Sequence, residues 1–381
     1  MTDIYNIGSF VGRVWSKETE GPLLVKIKDG SLHDITSKQT PTMRDLLEMQ
    51  NPAEYISGVE GIKIISLNKI EENVHNKVFD PDFKILAPCD LQVVKACGVT
   101  FAKSMVERVI EERAAGDPKK AELLRTNIGG LIGSSLKDIV PGSAKAMEVK
   151  DILIKEGLWS QYLEVGIGKD AEVFTKAQVL SSVGHGSEVG LHPISNWNNP
   201  EPEIVLAVNS KGKVVGTALG NDVNLRDFEG RSALLLGKAK DNNGSCAIGP
   251  FIRLFDDQFT LDDVRQANIT LSVKGSDGFT LEGSSSMKHI SRDPLKLVQQ
   301  CFGSHHQYPD GLMLFLGTMF SPIQDRDVPG QGFTHKVGDI VHIQTPLLGS
   351  LINRVNTCDQ IPPWTFGTMA LMQNLSQRGL L

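Results

Sequence analysis

The chain has 381 residues with 39 Lys or Arg and 45 Asp or Glu, so its formal charge at pH 7 is −6. This length suits two domains or one large domain with an appendage, and the mild acidity offers no basic surface for nucleic acid. The longest apolar stretches have about half of the roughly 20 residues that a membrane span needs. No signal-peptide, CxxC or disulfide pattern is visible. We therefore expect a cytoplasmic protein without nucleic-acid or membrane partners.

The N-terminal part of the sequence is predicted to form a hairpin followed by a helix. Residues 22–36 alternate apolar and polar side chains around the Asp29–Gly30 pair, which is typical of a β-hairpin. Thr40 followed by Pro41 is typical of a helix start, with Thr40 as the cap and Pro41 at the first helical position. Both elements belong to a small mixed α/β unit.

A break near residue 85 divides the chain into two predicted domains. Pro81 and Pro88 interrupt the preceding pattern at this point. We therefore expect a small N-terminal α/β domain over residues 1–85. Residues 86–381 are expected to form a larger, catalytic domain.

The larger domain is predicted to have an α+β, β-rich fold. Residues 98–115 predict the end of a strand and then a helix of about three turns. A second helix is predicted with Asp293 as its cap and Pro294 at its first position. Residues 177–255 and 337–355 alternate short β-type runs with turn residues.

Two acidic residues open the strand in residues 196–208, NWNNPEPEIVLAV. Side chains alternate between the faces of a strand, so Glu201 and Glu203 point the same way, while Pro202 excludes a helix. Residues 204–208 are apolar on both faces, which is typical of a strand buried on both sides. Two like charges at such a position repel each other and lose hydration, so they require a compensating charge or a bound proton.

A third acid is expected to join this pair. Folding the hairpin about the NSKG turn at residues 209–212 pairs residues whose numbers sum to roughly 421. Asp222 then lies close to Glu201 and Glu203. Three carboxylates without a nearby His or Cys suit Mg²⁺, with Mn²⁺ as the alternative, far better than Zn²⁺.

The acids also have a simpler interpretation. They could lie on a solvated strand end and pair with surface lysines such as Lys211 or Lys213. An ExE pair alone favours this interpretation, whereas the third acid favours a metal site.

These residues form part of a larger pattern that resembles the fumarylacetoacetate hydrolase superfamily. The resemblance extends from about residue 89 to the C-terminus and implies a mixed β-sandwich or roll as the catalytic domain. Its motifs are the ExE pair, NDVNLRD (221–227), GKAKDNNGSCAIGP (237–250), LGT (316–318) and VGDIVHIQTPLLGSLINRV (337–355).

The resemblance implies roles for individual residues. The family's metal-binding acids, which usually hold Mg²⁺, match the three carboxylates above. Its active-site lysine matches Lys240 better than Lys238, and its substrate-carboxylate threonine matches Thr318. Arg226 and Asp227 are expected to have structural or supporting roles. Relatives are usually homodimers or dimer-based tetramers, and the same is implied here.

One departure from the family pattern concerns water activation. Hydrolases of this family typically carry G-x-N-Y-x-x-H-x-x-E, and the matching segment here is GVTFAKSMVE at residues 98–107. Glu107 is retained, but Ser104 replaces the His. A serine cannot act as a base at neutral pH as a histidine can, so hydrolysis by this pair is disfavoured.

The GVTFxxS segment, residues 221–243 and HQYPDGLMLFLGT at 306–318 resemble most the sugar-acid branch of the family, the 2-keto-3-deoxy-pentonate dehydratases. The resemblance therefore implies dehydration of 2-keto-3-deoxy-D-xylonate or -arabinonate to 2,5-dioxopentanoate. A metal would chelate the C1 carboxylate and the C2 ketone, and the C4 hydroxyl would leave after loss of a C3 proton. Lys240 is either the base or a cation that holds the ketone or enolate oxygen.

Further candidates lie on one helix face and in one serine-rich segment. Positions i, i+3, i+4 and i+7 share a helix face, so the substrate could meet Ser104, Glu107, Arg108 and Glu111. Ser104 and Glu107 are the catalytic candidates, and Arg108 is a substrate-binding candidate. In GSSSMKH (283–289), Ser285 and Ser286 are candidates for binding the hydroxyl groups of the substrate. The simpler interpretations are a salt-bridged, exposed helix face and an ordinary turn.

Two other functions stay open at this point. The first is a hydrolase that cleaves a C–C bond of a 1,3-diketo acid with the same fold. The second is a binding or structural protein that keeps the fold without turnover, which the acids and Lys240 argue against.

Overall fold

The computed structural model describes residues 4–5, 7–75, 83–126, 136, 139–320 and 322–381. The strands are β1 (Phe10–Ser16), β2 (Gly21–Lys28), β3 (Ser31–Asp34), β4 (Ile62–Ser66), β5 (Phe83–Leu86), β6 (Val93–Cys97), β7 (Val173–Ala177), β8 (Glu188–Leu191), β9 (Asn198–Asn199), β10 (Pro202–Val208), β11 (Val214–Asp222), β12 (Asn224–Leu225), β13 (Cys246–Leu254), β14 (Asn268–Lys274), β15 (Thr280–Ser286), β16 (Leu312–Phe315), β17 (Ile340–Thr345) and β18 (Gly349–Thr357).

The α-helices of the described residues are short and mostly lie between the strands. They are α1 (Met43–Leu47), α2 (Pro52–Gly58), α3 (Leu67–His75), α4 (Ala102–Ala114), α5 (Pro118–Leu124), α6 (Ala144–Lys155), α7 (Gln161–Ile167), α8 (Arg226–Glu229), α9 (Leu236–Lys240), α10 (Leu261–Arg265), α11 (Pro294–Cys301) and α12 (Thr368–Gln377). None of them is long and apolar enough to cross a lipid bilayer.

Most strands belong to one large sheet. Its order is β4-β3-β2-β1-β13-β11-β10-β16-β6-β7, and β5 also pairs with β1. A second sheet has the order β15-β14-β17-β18-β8, and β9 and β12 form a small ribbon. The strand-rich α+β architecture agrees with the prediction from sequence.

The central strand β10 is buried on both faces, as its apolar sequence predicts. Ile204, Leu206 and Val208 pack in a cluster with residues of the second sheet, including Ile343. The alternate residue Val205 faces a second cluster, which α1 and α2 cover. The acids at the start of β10 therefore lie between layers of protein on both sides.

Four helices, α4 to α7, form a helical layer beside the start of β10. Val109 of α4 packs with Leu153 of α6 and Leu163 of α7 in a separate cluster. The helix start and length of α4 agree with the sequence prediction.

Local signals predicted one turn and one helix start correctly. The hairpin of β2 and β3 turns at Asp29–Gly30, and α11 begins at Pro294 with Asp293 as its cap. The first helix instead begins two residues later than predicted, because Thr42 and not Thr40 caps it. The Asp90 carboxylate also accepts the first N–H groups of this helix, a contact that the local sequence does not reveal.

The expected boundary at residue 85 falls inside β5, and the large sheet continues across it. Strand β1 pairs with β13 at Phe10 and Val11 and with β5 at its other end. Apolar residues from both sides of the boundary share one core cluster. Pro81, one of the two prolines behind the boundary, lies outside the described residues. A separate domain over residues 1–85 stays a prediction. The continuous sheet argues against it.

Removing residues 1–85 tests this division. We expect the chain 86–381 to aggregate or to unfold at a clearly lower temperature than the full chain. Loss of residues 1–85 would uncover one edge of β13 and the cluster covered by α1. Burial of each large apolar side chain in that cluster stabilises the fold by about 1.5–3 kcal/mol. Size-exclusion chromatography and thermal unfolding measure this. A monodisperse fragment with the melting temperature of the full chain would show two independent domains.

Candidate metal centre

The hairpin of β10 and β11 brings three acids together. Its register pairs Pro202 with Asn221 and Glu203 with Gly220. The Asp222 N–H donates to the Glu201 carbonyl at 3.0 Å, so these two residues lie opposite each other. The register differs by two residues from the one expected, because the turn pairs Asn209 with Lys213 and an irregularity at Ala207/Val208 adds one more residue. A two-residue shift preserves the face on which a side chain lies, so the third acid arrives as predicted.

The three carboxylates form one compact, buried group. Glu201, Glu203 and Asp222 each expose only 1% of their surface, and they offer oxygen atoms that all lie within 4.8 Å of one another. Lys211 and Lys213 lie at the exposed turn at the other end of the hairpin. The solvated strand end is therefore the wrong interpretation.

Three buried cations contact two of the carboxylates. The Lys240 ammonium lies 2.5 Å from Glu201 Oε2 and 3.0 Å from Asp222 Oδ2. Arg108 donates to Glu201 Oε1 at 2.5 Å, and Lys176 lies 2.8 Å from Asp222 Oδ1. Both oxygens of Glu201 and both of Asp222 thus have a cationic partner.

Glu203 is compensated far less. Among the described residues, no Lys, Arg or His lies within ion-pair distance of it, and its Oε2 accepts the Gly317 N–H at 2.7 Å. Burial, followed by the charges of Asp222 and Glu201, raises the pKa of Glu203 well above its ordinary value, although Lys240 opposes this. A divalent cation among the three carboxylates would remove this penalty. Oxygen donors only, at this spacing, fit Mg²⁺ or Mn²⁺.

The pKa values of the neighbouring groups follow from the same charges. Burial alone would raise the pKa of Asp222, but the ammonium groups of Lys176 and Lys240 hold it below its ordinary value. Burial alone would lower the pKa of Lys240, but the charges of Asp222 and Glu201 raise it above its ordinary value. These contacts favour the ammonium form of Lys240.

The segment after β16 closes one side of the site. Gly317 has φ +97°, and a Cβ there would lie 2.2 Å from Thr100 Oγ1, so only glycine fits. Its N–H binds Glu203 as described above. Thr318 follows directly, is buried, and donates its hydroxyl to the Phe320 carbonyl at 3.0 Å. Thr318 is thus adjacent to a residue that contacts the acid cluster.

Helix α4 supplies Arg108 and Glu111 to a buried ion-pair network. Arg108 contacts Glu111 at 2.6 Å and Glu229 at 2.9 Å in addition to Glu201. Glu111 in turn contacts Arg226 at 3.1 Å, and Arg226 donates to the Pro322 carbonyl at 2.9 Å. The predicted helix face is salt-bridged but buried against the acid cluster, so the exposed-face interpretation is wrong.

Three other candidates have local partners. Glu107 accepts two hydrogen bonds from Arg125, the residue after α5, at 3.0 and 2.8 Å. The buried Ser104 hydroxyl donates to the Phe101 carbonyl at 2.8 Å in the first turn of α4. Asp227 accepts hydrogen bonds from Ser195 and Asn196. Catalytic roles for Ser104 and Glu107 stay predictions.

The serine candidates lie in the second sheet. Ser285 and Ser286 belong to β15 at the edge of that sheet, opposite Ile269 and Asn268 of β14. The Ser286 hydroxyl caps the short turn after β15 by accepting the Lys288 N–H. Their role in substrate binding also stays a prediction.

Strand β7 contributes residues that the sequence prediction missed. Glu172, just before β7, and Phe174 are two apart and share a face, while Lys176 lies at an irregularity in the pairing of β7 with β6. Lys176 reaches Asp222, and the Phe174 ring centroid lies 5.6 Å from the Lys240 ammonium. The available signal was a lysine in the middle of an otherwise β-type run, VFTKA.

Glu172 has the properties of a proton-transfer group. Burial and the negative charge of Glu229 raise its pKa to about 7, although Arg108 and Lys240 oppose this. A Cβ on Gly98 would lie 1.8 Å from Glu172 Oε2, so the glycine provides the space for this carboxyl group. A carboxyl group with a pKa near neutrality that experiences the charges of Arg108, Lys240 and Glu201 is a candidate acid or base.

Comparisons with known proteins agree with this site and fold. The family described as fumarylacetoacetate (FAA) hydrolase C-terminal matches residues 168–356, which include all three acids. The chain is 31% identical over 184 residues to a 2-dehydro-3-deoxy-D-arabinonate dehydratase of Saccharolobus solfataricus. It is 29% identical over 196 residues to a probable 2-keto-3-deoxyxylonate dehydratase of Haloferax volcanii. These matches span 48% and 51% of this chain but only 58% and 64% of the two relatives.

Solved structures share the architecture over nearly the whole chain. A 2-keto-3-deoxy-D-arabinonate dehydratase complexed with magnesium and 2,5-dioxopentanoate superposes with a TM-score of 0.63 at 22% identity. The superposition covers 91% of this chain and 99% of the dehydratase chain. A 5-carboxymethyl-2-hydroxymuconate delta-isomerase from Mycobacterium smegmatis reaches a TM-score of 0.54 at 16% identity. The family match therefore identifies residues 168–356 as a fumarylacetoacetate hydrolase domain, and the solved structures share the fold of the chain.

Proposed function

We propose that this chain dehydrates a 2-keto-3-deoxy sugar acid, 2-keto-3-deoxy-D-xylonate or -arabinonate, to 2,5-dioxopentanoate. The observation that carries the proposal is the buried cluster of Glu201, Glu203 and Asp222 with Lys240 beside it. The substrate class is supported by the names of the two curated relatives. Serine at position 104, where the family's hydrolases carry histidine, supports dehydration over C–C bond hydrolysis.

The three carboxylates would hold Mg²⁺, with Mn²⁺ as an alternative. When bound, the metal supplies Lewis-acid polarisation of the C1 carboxylate and the C2 ketone, which acidifies the C3 proton. The residues of the chain must then take the C3 proton and protonate the departing C4 hydroxyl. Loss of that hydroxyl as water leaves a C3–C4 double bond. Removal of a C5 proton and protonation at C3 then give an enol, which tautomerises to the C5 aldehyde.

Lys240 would stabilise negative charge. Its contacts with two carboxylates favour the ammonium form. A fixed ammonium next to the metal ligands can hold the developing charge on the C2 oxygen of the enolate. Its earlier alternative role, as the base, is disfavoured by the same contacts.

Glu172 would be the base at C3. Its carboxyl group is largely enclosed, its pKa lies near neutrality, and a general base works best when its pKa is close to the working pH. After taking the C3 proton, the same group can deliver a proton to the C4 hydroxyl. This assignment leaves Glu107, which Arg125 holds, as a supporting group or a second proton donor.

The substrate-binding residues would include Thr318 beside the Glu203 contact and Arg108 on α4. Arg108 can pair with an anionic group as well as with Glu201, and helix α4 would place Ser104 near the substrate. Ser285 and Ser286 would bind hydroxyl groups of the substrate. A homodimer or dimer-based tetramer in the cytoplasm completes the proposal, supported by the resemblance to the family and by composition.

Turnover tests the proposed reaction directly. Purified protein with Mg²⁺ should convert 2-keto-3-deoxy-D-xylonate or -arabinonate to the semialdehyde, measured through an NAD(P)⁺-dependent aldehyde dehydrogenase. An acylpyruvate, followed by loss of its absorbance, is the parallel substrate for C–C hydrolysis. If the protein consumed the acylpyruvate and formed no 2,5-dioxopentanoate, the proposed function would be C–C bond hydrolysis instead of dehydration. Turnover of neither substrate would favour a binding protein.

Replacing Glu203 by Gln separates metal binding from folding. Glu203→Gln removes a buried charge that no cation of the described residues contacts, so the metal-free variant should unfold at the same or a higher temperature than the wild type. It should bind Mg²⁺ at least about 10–100-fold more weakly and lose activity. Calorimetric titration and thermal unfolding measure both effects.

Glu282→Gln is the matched control, because Glu282 is an exposed acid on β15. It should leave the unfolding temperature and the Mg²⁺ affinity unchanged. Undiminished Mg²⁺ affinity in Glu203→Gln would contradict the metal assignment.

The pH dependence of the rate tests Glu172. As the base it must be deprotonated, so kcat should rise as the pH increases through about 7 and level off above. Glu172→Gln should lower kcat by about 10²–10⁴-fold, the usual contribution of a general base, and abolish this rise. The control Glu164→Gln changes a partly exposed glutamate that pairs with Lys150. A Glu172→Gln variant that retained the wild-type pH profile would refute the assignment.

A further inference from the structure

Lys176 is a lysine without solvent contact. Its side chain has 0% exposure, and its ammonium lies 2.8 Å from Asp222 Oδ1. It donates to the Val223 carbonyl at 3.2 Å and also to the Lys240 carbonyl. The ammonium therefore has one ion pair and two hydrogen bonds to backbone carbonyl groups. Burying an ammonium is unfavourable unless other groups compensate its charge, and these three contacts supply that compensation.

The three acceptors belong to the residues on which the proposed chemistry depends. Asp222 is a carboxylate of the metal cluster, and Val223 is the next residue along the chain. Lys240 is the active-site lysine, whose carbonyl also accepts the Ser245 hydroxyl at 2.7 Å. Lys176 therefore connects two functional residues that lie 18 positions apart in the sequence.

The contact with Asp222 also fixes the orientation of that carboxylate. With Oδ1 paired with Lys176, Oδ2 is the oxygen that contacts Lys240. The contact with the Lys240 carbonyl fixes the backbone at the C-terminal end of α9, from which the Lys240 side chain extends. A single buried ammonium thus determines the placement of both groups.

We propose that Lys176 is a positioning residue, which orients Asp222 toward the divalent cation and Lys240 toward the substrate. This inference rests on the proposed metal site. A positioning role and a purely electrostatic role predict opposite changes in metal affinity when Lys176 is replaced. A positive charge close to a metal site repels the cation, so removal of the charge alone would tighten metal binding. Removal of a positioning contact would instead weaken metal binding.

The test compares Lys176→Met with Lys95→Met. Methionine has nearly the length of lysine but neither its charge nor its donors. Lys95 is the matched control, because it lies on the neighbouring strand β6 and contacts the Thr175 hydroxyl at 2.8 Å in an exposed position. Mn²⁺ binding is titrated by electron paramagnetic resonance, and kcat is measured at saturating Mn²⁺.

We expect Lys176→Met to bind Mn²⁺ about 10–100-fold more weakly, the usual effect of losing a group that orients a metal ligand. We also expect a lower kcat at saturating metal, because Lys240 is displaced. Lys95→Met should match the wild type in both. Unchanged or tighter Mn²⁺ binding in Lys176→Met would overturn the proposal. A variant that loses thermal stability but keeps its Mn²⁺ affinity would overturn it as well.

A second variant covers the case of a folding defect. Lys176→Gln keeps a polar donor for the carbonyl groups but lacks the charge and the length, and it should show the same loss of Mn²⁺ affinity. If neither variant folds, Lys176 has a purely structural role and the proposal is overturned. The proposed metal site fails separately, if the wild-type protein binds no Mn²⁺ or if Glu203→Gln binds it normally.

Discussion

The mutual repulsion of three buried carboxylates is the constraint on which the rest of the site depends. Oxygen atoms of Glu201, Glu203 and Asp222 lie within 4.8 Å of one another in a protein interior, where like charges are costly unless other charges balance them. The surrounding fold supplies cations from three separate elements, helix α4, strand β7 and helix α9. These cations reach two of the acids and leave Glu203 with a backbone N–H as its partner. The arrangement favours a divalent cation in contact with the third acid.

The architecture explains how such a cluster can be rigid. The acids begin and end a central hairpin that is buried on both faces, by the second sheet on one side and by α1 and α2 on the other. The helical layer then covers the cluster, with Arg108 as its contact to Glu201. Groups held in this way lose little freedom when a substrate binds, which is the condition for effective electrostatic stabilisation of an enolate. The same rigidity requires glycine at two positions, Gly98 and Gly317, where side chains approach the backbone.

Local patterns predicted part of this site, and non-local packing determined the rest. The ExE pair and the hairpin place all three acids on one face, because a strand has a period of two, and even an error of two residues in register preserves that face. Glu172 and Lys176 were missed because alternating charges in a short strand also indicate a solvated face. Lys176 is buried only because it meets Asp222, Val223 and Lys240, which come from other parts of the chain. The contact of Arg108 with Glu201 joins residues 93 positions apart. Local sequence around residue 85 likewise does not reveal that β1 pairs with a strand more than 200 residues away, and this pairing carries the sheet across the predicted domain boundary.

A crystal structure of the protein soaked with Mn²⁺ tests the central claim most directly, because Mn²⁺ is located by its anomalous scattering. The account predicts one strong anomalous peak in contact with an oxygen of each of Glu201, Glu203 and Asp222, with Lys176 still bound to the other oxygen of Asp222. A peak elsewhere, or none at these three carboxylates in a fully folded protein, would contradict it.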